Sequence, residues 1–398
     1  MSDSHMSAGA GDAAALSARY AQAFMNTFGP PQLVLERGAG VYVWDRDGKK
    51  YLDLLAGIAV NALGHAHPAL VEAVAAQMGR LGHISNFFTS AAQVSLGEKI
   101  QQIFADSGYA ERTKVFLANS GAEANEAALK LTRLHKPGGR VLSLTRSFHG
   151  RTMGALSLTE KPAIREPFEP LPANVQFVEP AVPALTAAFD DDVAAIFVEP
   201  IQGEAGVLPL EEGVLATVRE LCDRHDALLV IDEVQTGVGR TGQWLASQGV
   251  RADVVTLAKG LGGGFPIGAC VGVGKAADIF APGNHGSTFA GNPVASVAAL
   301  TTLNEVEKLL GTVRETGAWL RGQLRDQGYS VRGAGLLLGI EVADSARVRT
   351  ALLEVGFIVN APNETTIRVA PPLIVTPEQL RPFVDFMAVQ SNAFVKGA

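Results

Sequence analysis

The sequence predicts an α/β protein: a large domain with a mainly parallel sheet covered by helices, and a smaller α+β domain. Three observations predict this class. Beyond about residue 68, short apolar runs alternate with helical patterns, as expected for parallel strands buried on both faces. Toward the C-terminus this alternation stops, and closely spaced strand candidates appear. With 47% hydrophobic residues, the chain of 398 residues can fill a core large enough for about two or three domains.

At the N-terminus the pattern predicts one helix and one β-hairpin. The helix is expected over residues 12–27, with Asp12 as its candidate N-cap. Residues 41–45 and 50–53 are expected to pair as a hairpin, because the four residues between them contain a glycine turn.

The remaining elements follow in order along the chain. The spacing of apolar residues predicts helices over residues 68–80 and 91–104, and a long helix over residues 292–326 with a candidate break at Gly311. The apolar runs predicted as strands of the large sheet are residues 114–118, 140–144, 194–198, 228–231, 254–257 and 268–273. The C-terminal candidates are strands at residues 329–332, 336–342 and 367–370 and helices at residues 350–355 and 377–395.

Composition and charge exclude several classes of protein. No apolar run approaches the ~18 residues of a membrane span. A net charge of −7 without a basic run argues against nucleic-acid binding. Cys222 and Cys270 are too few for a disulfide framework, which favours the reducing cytoplasm. Residues 1–11 lack the basic and apolar regions of a secretory signal, and we expect them to be a disordered tail.

Two polar clusters have the composition of metal sites but simpler interpretations. His65 and His67 stand between a glycine and a proline with no cysteine nearby, which favours a structural turn. Asp190, Asp191 and Asp192 precede an apolar run and are expected to form a solvated loop. We therefore expect no metal site.

Reactive residues stand where several of the predicted strands end. In open α/β sheets, ligands bind beyond the carboxyl ends of the strands. Ser120 and Gly121 follow residues 114–118 and open a helix, so they are suited to bind a phosphate. An ordinary N-cap is the alternative. Asp232 follows residues 228–231, where a buried carboxylate needs a cation or hydrogen-bond donors, and a simple turn residue is the alternative.

Lys259 follows residues 254–257 and precedes a glycine-rich segment. Burial would lower its pKa and make it a nucleophile toward carbonyls, whereas the alternative is a surface lysine in a flexible loop. A Walker-type phosphate loop is disfavoured, because the glycines follow the lysine. Phe148 and Arg151 follow residues 140–144, where they are suited to hold a flat ligand, or form a core aromatic and a surface cation.

A phosphate cup, a buried acid and a buried lysine after separate strands together suit one cofactor, pyridoxal phosphate. The lysine would bond to its aldehyde, and the acid would keep its pyridine nitrogen protonated. The chain resembles the class III (ω-amino) aminotransferases of the pyridoxal-phosphate fold type I superfamily, from about Leu33 to the C-terminus. The segments that carry the resemblance are residues 57–68 (GIAVNALGHAHP), 119–125 (NSGAEAN), 148–151 (FHGR), 199–204 (EPIQGE), 232–237 (DEVQTG), 258–260 (AKG), 285–289 (HGSTF) and 368–372 (RVAPP).

The resemblance implies how the domains are built. A seven-stranded sheet is expected in the large domain, and both chain ends are expected to contribute to the small one. We expect residues 12–60 to form the N-terminal part of the small domain, residues 61–292 the large cofactor domain, and residues 293–398 the C-terminal part of the small domain.

The resemblance also implies cofactor contacts. Lys259 would carry the covalent link and shuttle protons, Asp232 would pair with the pyridinium nitrogen, and Gln235 would contact the phenolic oxygen. A homodimer is implied, because the phosphate site is shared between two subunits. The remaining contacts would come from Ser120, Gly121 and Ala122 with Thr288 of the partner subunit at the phosphate, and from Phe148 on the ring face.

The same resemblance implies how substrates are held. Arg151, with Ser287 nearby, would bind the α-carboxylate of the amine substrate, and Arg368 that of glutamate or 2-oxoglutarate. Glu204 would pair with Arg368 while the amine substrate is bound and swing away for the second substrate, because an unpaired buried arginine is costly. A fixed structural ion pair is the alternative. Ile58 stands where ornithine aminotransferases place a tyrosine, so the pocket is expected to prefer an acylated α-nitrogen.

The segment at residues 57–68 favours the acetylornithine branch of the class. The implied reaction converts N2-acetyl-L-ornithine and 2-oxoglutarate into N-acetyl-L-glutamate 5-semialdehyde and L-glutamate, in arginine biosynthesis. Ornithine, succinylornithine, succinyldiaminopimelate and 4-aminobutyrate are the alternative amine substrates. A non-catalytic, cofactor-binding dimer is disfavoured, because Lys259, Asp232 and Arg368 are all present.

Overall fold

The computed structural model describes residues 13–395. The tail expected over residues 1–11 and the N-cap expected at Asp12 lie outside the described residues. The first helix, Ala13–Ala23, is shorter than the helix predicted to extend to residue 27, and none of its residues is buried.

The strands form three larger sheets and one short pair. In chain order they are β1 (Leu35–Ala39), β2 (Tyr42–Asp45), β3 (Lys50–Asp53), β4 (Thr113–Ala118), β5 (Arg140–Leu144), β6 (Val175–Val178), β7 (Val193–Val198), β8 (Ile201–Gln202), β9 (Leu208–Pro209), β10 (Leu228–Asp232), β11 (Val254–Leu257), β12 (Gly268–Val273), β13 (Val331–Ala334), β14 (Leu337–Glu341), β15 (Phe357–Ile358), β16 (Asn360–Asn363) and β17 (Thr366–Val369).

Helices cover the large sheet and flank the smaller ones. In chain order they are α1 (Ala13–Ala23), α2 (Ala56–Ala59), α3 (Pro68–Arg80), α4 (Ala91–Asp106), α5 (Gly121–His135), α6 (Met153–Ser157), α7 (Pro162–Arg165), α8 (Val182–Ala188), α9 (Val214–Arg224), α10 (Pro293–Glu307), α11 (Leu310–Asp326), α12 (Ser345–Glu354), α13 (Pro377–Val389) and α14 (Ser391–Phe394).

The large sheet has seven strands in the order β4-β12-β11-β10-β7-β5-β6. The pairs from β11 through β6 are parallel, and every residue of β7 and β10 is buried. Buried strands of this kind read as continuous apolar runs, which is why the sequence predicts them. The predicted fold class is therefore confirmed. Strand β6 was missed, because its run of VQFV is short, lies at the edge and is only partly buried.

Strand β12 runs antiparallel to both of its neighbours, β11 and β4. The segment between β11 and β12 spans residues 258–267 and contains a short 3-10 turn, Lys259–Gly262. A parallel crossover needs about a dozen residues or more, usually with a helix, so this short link returns the chain in the opposite direction. The residue predicted as the reactive lysine consequently stands at the start of a tight reversal.

Two four-stranded sheets lie outside the large one. One has the order β13-β14-β17-β16, and the other has the order β1-β2-β3-β15. The second contains the predicted hairpin, and its strand β3 pairs in parallel with β15 through Leu52 and Phe357. The N-terminal and C-terminal segments therefore share a sheet. The boundaries of the domains stay a prediction.

Some element bounds differ from the sequence-based expectations. The break in the long helix falls at residues 308–309, and Gly311 is the second residue of α11, where it is half-buried in the first turn. Helix α12 begins earlier than predicted, because the side chain of Asp344 caps it. The strand predicted at residues 329–332 is shifted to β13, and Tyr329 is instead buried with its hydroxyl donating to the carbonyl of Met387 at 2.9 Å.

Candidate active site

A cavity of about 430 Å³ lies at the carboxyl ends of β4, β10 and β11. It has the size of a typical small-molecule site, which is roughly 300–1,000 Å³. The structure brings most of the predicted site residues together here. Those that line the cavity are Ser120, Gly121, Ala122, Phe148, Arg151, Glu204, Asp232, Gln235 and Lys259.

The first turn of α5 forms one end of the cavity. The hydroxyl of Ser120 accepts a hydrogen bond from the amide of Glu123 at 3.2 Å, so this side chain is an N-cap, as in the simpler interpretation. The amides of Gly121 and Ala122 belong to the first turn of a helix, where N–H groups have no intrahelical acceptor. A Cβ at Gly121 would lie 2.7 Å from Val234, so this close approach requires glycine. The exposed amides and the helix dipole together suit a phosphate.

Asp232 lies at the end of β10 and is 5% exposed. Its Oδ2 accepts hydrogen bonds from His149 Nδ1 at 2.7 Å and from Asn125 Nδ2 at 2.8 Å, while Oδ1 accepts from the amide of Val234 at 2.9 Å. Burial alone would raise the pKa of Asp232, but the hydrogen bond and charge of His149, together with the other donors, lower it below its usual value. The cavity thus contains a buried carboxylate that stays ionised.

His149 and Asn125 both hold Asp232, and neither has a role predicted from the sequence. His149 is fully buried, and the interaction with Asp232 raises its pKa even though burial acts in the opposite direction. Asn125 lies one helical turn beyond the start of α5, which places it on the face that meets the cavity. Both residues stand within the segments that carry the family resemblance, and that was the available signal.

Lys259 follows β11 and adopts a left-handed backbone with φ of +41°. A residue with a side chain seldom adopts this conformation, and such strain is common at functional sites. Burial lowers the pKa of Lys259 below its ordinary value, while the nearby carboxylates of Asp232 and Glu204 act in the opposite direction. A lowered pKa increases the fraction of neutral amine, which is the nucleophilic form.

Glu199 is a second buried acid, and it has no role predicted from the sequence. It follows β7, is 8% exposed and lines the cavity. Its Oε2 accepts the backbone N–H of Phe148 at 3.0 Å, so it fixes the start of the segment that carries the proposed stacking ring. Burial raises the pKa of Glu199 to about 7. This carboxyl therefore titrates near neutral pH.

Arg368 lies on β17 and is 1% exposed. Its Nη1 donates to Glu204 Oε1 at 2.6 Å and to Gln235 Oε1 at 3.2 Å. Its Nε and Nη2 are buried without a hydrogen-bond partner among the described residues. Burial would raise the pKa of Glu204, but the charge of Arg368 outweighs that effect and lowers it. The side chain of Glu204 is 33% exposed, so it has room to move where Arg368 does not.

The other predicted substrate residues lie around this centre. Arg151 is exposed, and its guanidinium carbon lies 5.8 Å from the centroid of the Phe148 ring. Ser287 accepts a hydrogen bond from Asn119 Nδ2 at 2.9 Å. The predicted residues that do not line the cavity of this chain are Ile58, Ser287, Thr288 and Arg368, the last of which lies behind Glu204.

The clusters considered as metal sites have other partners. His65 bonds to Asp53 Oδ2 at 2.8 Å, and Asp190 pairs with Arg140 at 2.8 Å. Within residues 13–395, no three or more His, Cys, Asp or Glu side chains are grouped so as to hold a metal ion. In the same part of the chain, the helices are too short or too polar to cross a membrane.

Comparison with known proteins decides the family. The model of the class-III aminotransferase family matches residues 24–389. The chain belongs to the class-III aminotransferases. Among curated relatives of this aminotransferase, the acetylornithine aminotransferase of Corynebacterium efficiens is 49% identical and covers 92% of this chain and 94% of its own. The acetylornithine aminotransferase of Streptomyces coelicolor is 50% identical and covers 90% of each chain.

Solved structures agree with this family. The ornithine aminotransferase of Toxoplasma gondii has a TM-score of 0.89 at 33% identity and covers 94% of each chain. The N-acetylornithine aminotransferase of Stenotrophomonas maltophilia has a TM-score of 0.78 at 36% identity and covers 92% of this chain and 98% of its own. The implied family and fold are therefore confirmed.

Class-III aminotransferases depend on pyridoxal phosphate, and the site of this aminotransferase fits that cofactor. Its donor set matches the three functional groups of the molecule. The ionised carboxylate of Asp232 suits a protonated pyridine nitrogen, the amine of Lys259 suits an aldehyde, and the first-turn amides of α5 suit a phosphate. Each of these groups reaches the same cavity from a different strand end.

Proposed function

We propose that this aminotransferase moves the δ-amino group of N2-acetyl-L-ornithine to 2-oxoglutarate, forming N-acetyl-L-glutamate 5-semialdehyde and L-glutamate. The observation that carries this proposal is the buried Arg368, whose Nε and Nη2 have no hydrogen-bond partner among the described residues and which pairs with the partly exposed carboxylate of Glu204. Such an arginine is suited to a substrate carboxylate in a bidentate arrangement. The acetylornithine aminotransferases, about half identical over nine tenths of the chain, support the choice of amine.

When bound, pyridoxal phosphate accepts the amino group and stores it between the two half-reactions, acting as an electron sink. The protein residues supply the rest. Asp232, held by His149 and Asn125, would keep the pyridine nitrogen protonated. The Nζ of Lys259 would move the proton between the amine-bearing carbon of the substrate and the aldehyde carbon of the cofactor. Phe148 would stack on the ring, and Gln235 would donate to the phenolic oxygen.

The two substrates differ in how their carboxylates would be bound. Arg151, at the exposed mouth of the cavity and with Ser287 nearby, would bind the α-carboxylate of acetylornithine. During that half-reaction Glu204 would neutralise Arg368. When 2-oxoglutarate enters, Glu204 would move away, and the substrate carboxylate would replace it on Arg368. One pocket can therefore accept an ω-amine and an α-keto acid in turn.

Ile58 would set the preference for an acylated amine. It belongs to a left-handed turn, with φ of +66°, is 38% exposed, and stands two residues before Val60, which lines the cavity. An apolar side chain offers no hydrogen-bond partner to a free α-amino group, so ornithine should be a poorer substrate than its acetylated form. With acetylornithine as its amine substrate, the chain would act in arginine biosynthesis. We propose the cytoplasm as its compartment.

We also infer that two copies of the chain form the active unit. An apolar face, here called the aromatic face, is made of exposed side chains from two segments that meet where Asn86 Nδ2 donates to the carbonyl of Ser287 at 2.7 Å. Phe87 is 92%, Phe88 69% and Phe289 60% exposed. Phe289 follows Thr288, which is also exposed and does not line the cavity of its own chain. A second copy seated on this face would let Thr288 of the partner subunit reach the phosphate.

The assembly is tested by sedimentation. A dimer is expected for the cofactor-loaded protein, and Phe87→Glu with Phe88→Glu should weaken it and lower turnover together, because a charge is costly in an apolar interface. Val389→Glu, at a position that is 79% exposed, is the matched control and should change neither property. A wild-type monomer with full turnover would contradict the shared site.

Turnover itself is measured by the glutamate formed from 2-oxoglutarate. The wild-type protein should use N2-acetylornithine with a higher kcat/KM than ornithine, succinylornithine, succinyldiaminopimelate or 4-aminobutyrate. A higher kcat/KM for any other amine in this panel would replace acetylornithine as the substrate. No glutamate with any of them would refute the proposed function.

A further inference from the structure

Arg240 is a buried cation in the segment that follows β10. The residue is 2% exposed, and within residues 13–395 its side-chain hydrogen bonds go to two backbone carbonyls instead of a carboxylate. Burial lowers its pKa to about 9. Because a guanidinium is costly to bury without an anion, its place in the structure calls for a physical explanation.

The two carbonyls lie just beyond the ends of two paired strands, β14 and β17. Nη1 of Arg240 donates to the carbonyl of Leu336 at 3.1 Å and to that of Pro371 at 2.5 Å. Strands β14 and β17 pair in antiparallel register, with Leu338 opposite Val369. Leu336 and Pro371 lie two residues beyond that pair on their respective sides, where the ladder has ended. The guanidinium therefore bridges the two backbone segments just beyond the point where the hydrogen bonds between β14 and β17 end.

The backbone makes the same connection. The amide of Leu336 donates to the carbonyl of Arg240 at 3.0 Å. Gly335 has a φ of +52°, and a Cβ at this position would lie 2.7 Å from the carbonyl oxygen of Arg240. The approach is so close that only glycine fits. The segment after β10 and the turn before β14 are therefore in direct backbone contact.

These contacts of Arg240 connect the segment that begins at Asp232 to the strand that carries Arg368. The segment that ends at Arg240 begins at Asp232 and contains Gln235, whose Oε1 accepts from Arg368 at 3.2 Å. Arg368 stands just before Pro371, on the strand whose end Arg240 holds. We propose that Arg240 is a positioning residue that holds Arg368 in register with Gln235 and the cofactor acid, and so sets the affinity for the dicarboxylate substrate. This inference rests on the proposed function, in which Arg368 binds 2-oxoglutarate.

A matched control exists on the same segment. Arg314 of α11 also donates to a backbone carbonyl there, that of Gly242, at 2.6 Å. It holds the same segment to a helix, and its hydrogen bond to Gly242 does not involve β17. Removal of Arg314 therefore tests the stability of the segment without releasing the end of the substrate-binding strand.

The experiment compares Arg240→Met, Arg240→Lys and Arg314→Met in the cofactor-loaded protein. For Arg240→Met, the KM for 2-oxoglutarate should rise about tenfold, equivalent to about 1.4 kcal/mol. The kcat and the KM for acetylornithine should change by less than about threefold, because the first half-reaction does not use Arg368 for its carboxylate. Arg240→Lys should keep most of the affinity for 2-oxoglutarate, because a single nitrogen of Arg240 donates both hydrogen bonds and a lysine also has one donor nitrogen. Arg314→Met should leave both KM values unchanged.

Hydrogen exchange gives a readout that does not depend on turnover. Amides of β17 should exchange faster in Arg240→Met than in Arg314→Met, with no substrate present. If Arg240→Met does not fold, Arg240→Lys should still show a smaller rise in the KM for 2-oxoglutarate alone. Equal changes in both KM values, or no difference from Arg314→Met, would overturn the inference. If wild-type protein turns over no amine with 2-oxoglutarate, the proposed function fails, and the exchange rates still report whether Arg240 holds the strand.

Discussion

Replacing Glu204 by alanine would leave Arg368 with Gln235 as its only remaining hydrogen-bond acceptor among the described residues. A hydrogen bond between charged groups contributes about 1.5–3 kcal/mol to stability. This pair joins an arginine that is 1% exposed to a glutamate that is 33% exposed, so the lower half of that range applies, about 2 kcal/mol. That free energy must be overcome each time a substrate carboxylate displaces Glu204.

Without Glu204 this cost disappears, and 2-oxoglutarate should bind about 30-fold more tightly, since 1.4 kcal/mol corresponds to a factor of ten. The amine half-reaction should slow, because Arg368 would then attract the carboxylate of acetylornithine into an unproductive orientation. The assay is a single-turnover measurement of each half-reaction against substrate concentration, monitored by the cofactor absorbance. Glu204→Gln is the matched control, because it keeps the size and a hydrogen bond but removes the charge, and its effect should lie between those of wild type and alanine.

The reasoning would be refuted if Glu204→Ala bound 2-oxoglutarate no more tightly than wild type does and slowed both half-reactions equally. That result would mean that Glu204 and Arg368 form a fixed structural pair. Chemical denaturation separates the two cases further. In the movable arrangement, the same saturating concentration of 2-oxoglutarate should stabilise the alanine variant more than the wild type, because the free energy of unfolding that a bound ligand adds grows with the logarithm of its affinity.

Three further outcomes follow from the same site. Lys259→Ala should abolish borohydride-reducible attachment of pyridoxal phosphate, measured by mass spectrometry, and a variant that stays labelled at the same site would contradict the assignment. Arg151→Ala should weaken acetylornithine more than 2-oxoglutarate, and Arg368→Ala the reverse, each by roughly 10- to 100-fold for a lost charged hydrogen bond; equal losses would show that the carboxylates are divided differently. Burial raises the pKa of Glu199 from its ordinary value of 4.5 to about 7, so the stability that this carboxyl contributes is complete below about pH 4.5 and is lost as pH rises through 7. In cofactor-free protein, Glu199→Gln should therefore gain on the order of 3 kcal/mol over wild type between about pH 5 and pH 8, and a difference that does not vary with pH in urea denaturation would refute this.

Much of the cofactor site can be predicted from local sequence. Asp232 and Lys259 each follow a short apolar run, and such runs become buried parallel strands because no polar residue interrupts them. Since the carboxyl ends of parallel strands meet at one edge of a sheet, the two residues had to lie near one another. Helix α5 begins at Gly121, soon after β4 ends, so its first turn lies at the same edge of the sheet.

Other features needed long-range packing. His149 lies 83 residues from Asp232 in the chain, and only the folded sheet brings its ring to 2.7 Å from the carboxylate. Residue types alone left two interpretations of Ser120, and the geometry shows its hydroxyl capping the helix. The reversed direction of β12 also has no local signal, because a buried antiparallel strand and a buried parallel one have the same apolar composition.

The sequence by itself determined the fold class, the family and the identity of the residues at the strand ends, because hydrophobic patterns and motifs are properties of neighbouring residues. Only the tertiary structure decided which of those residues meet. Glu204 and Arg368 lie 164 residues apart in the chain, one just after β8 and the other on β17. Nevertheless, Arg368 Nη1 and Glu204 Oε1 are 2.6 Å apart. The buried Arg240, at the junction that holds Arg368 in place, has no sequence signal of its own. Burial and pairing are set by what packs around a residue, which no local stretch of sequence contains.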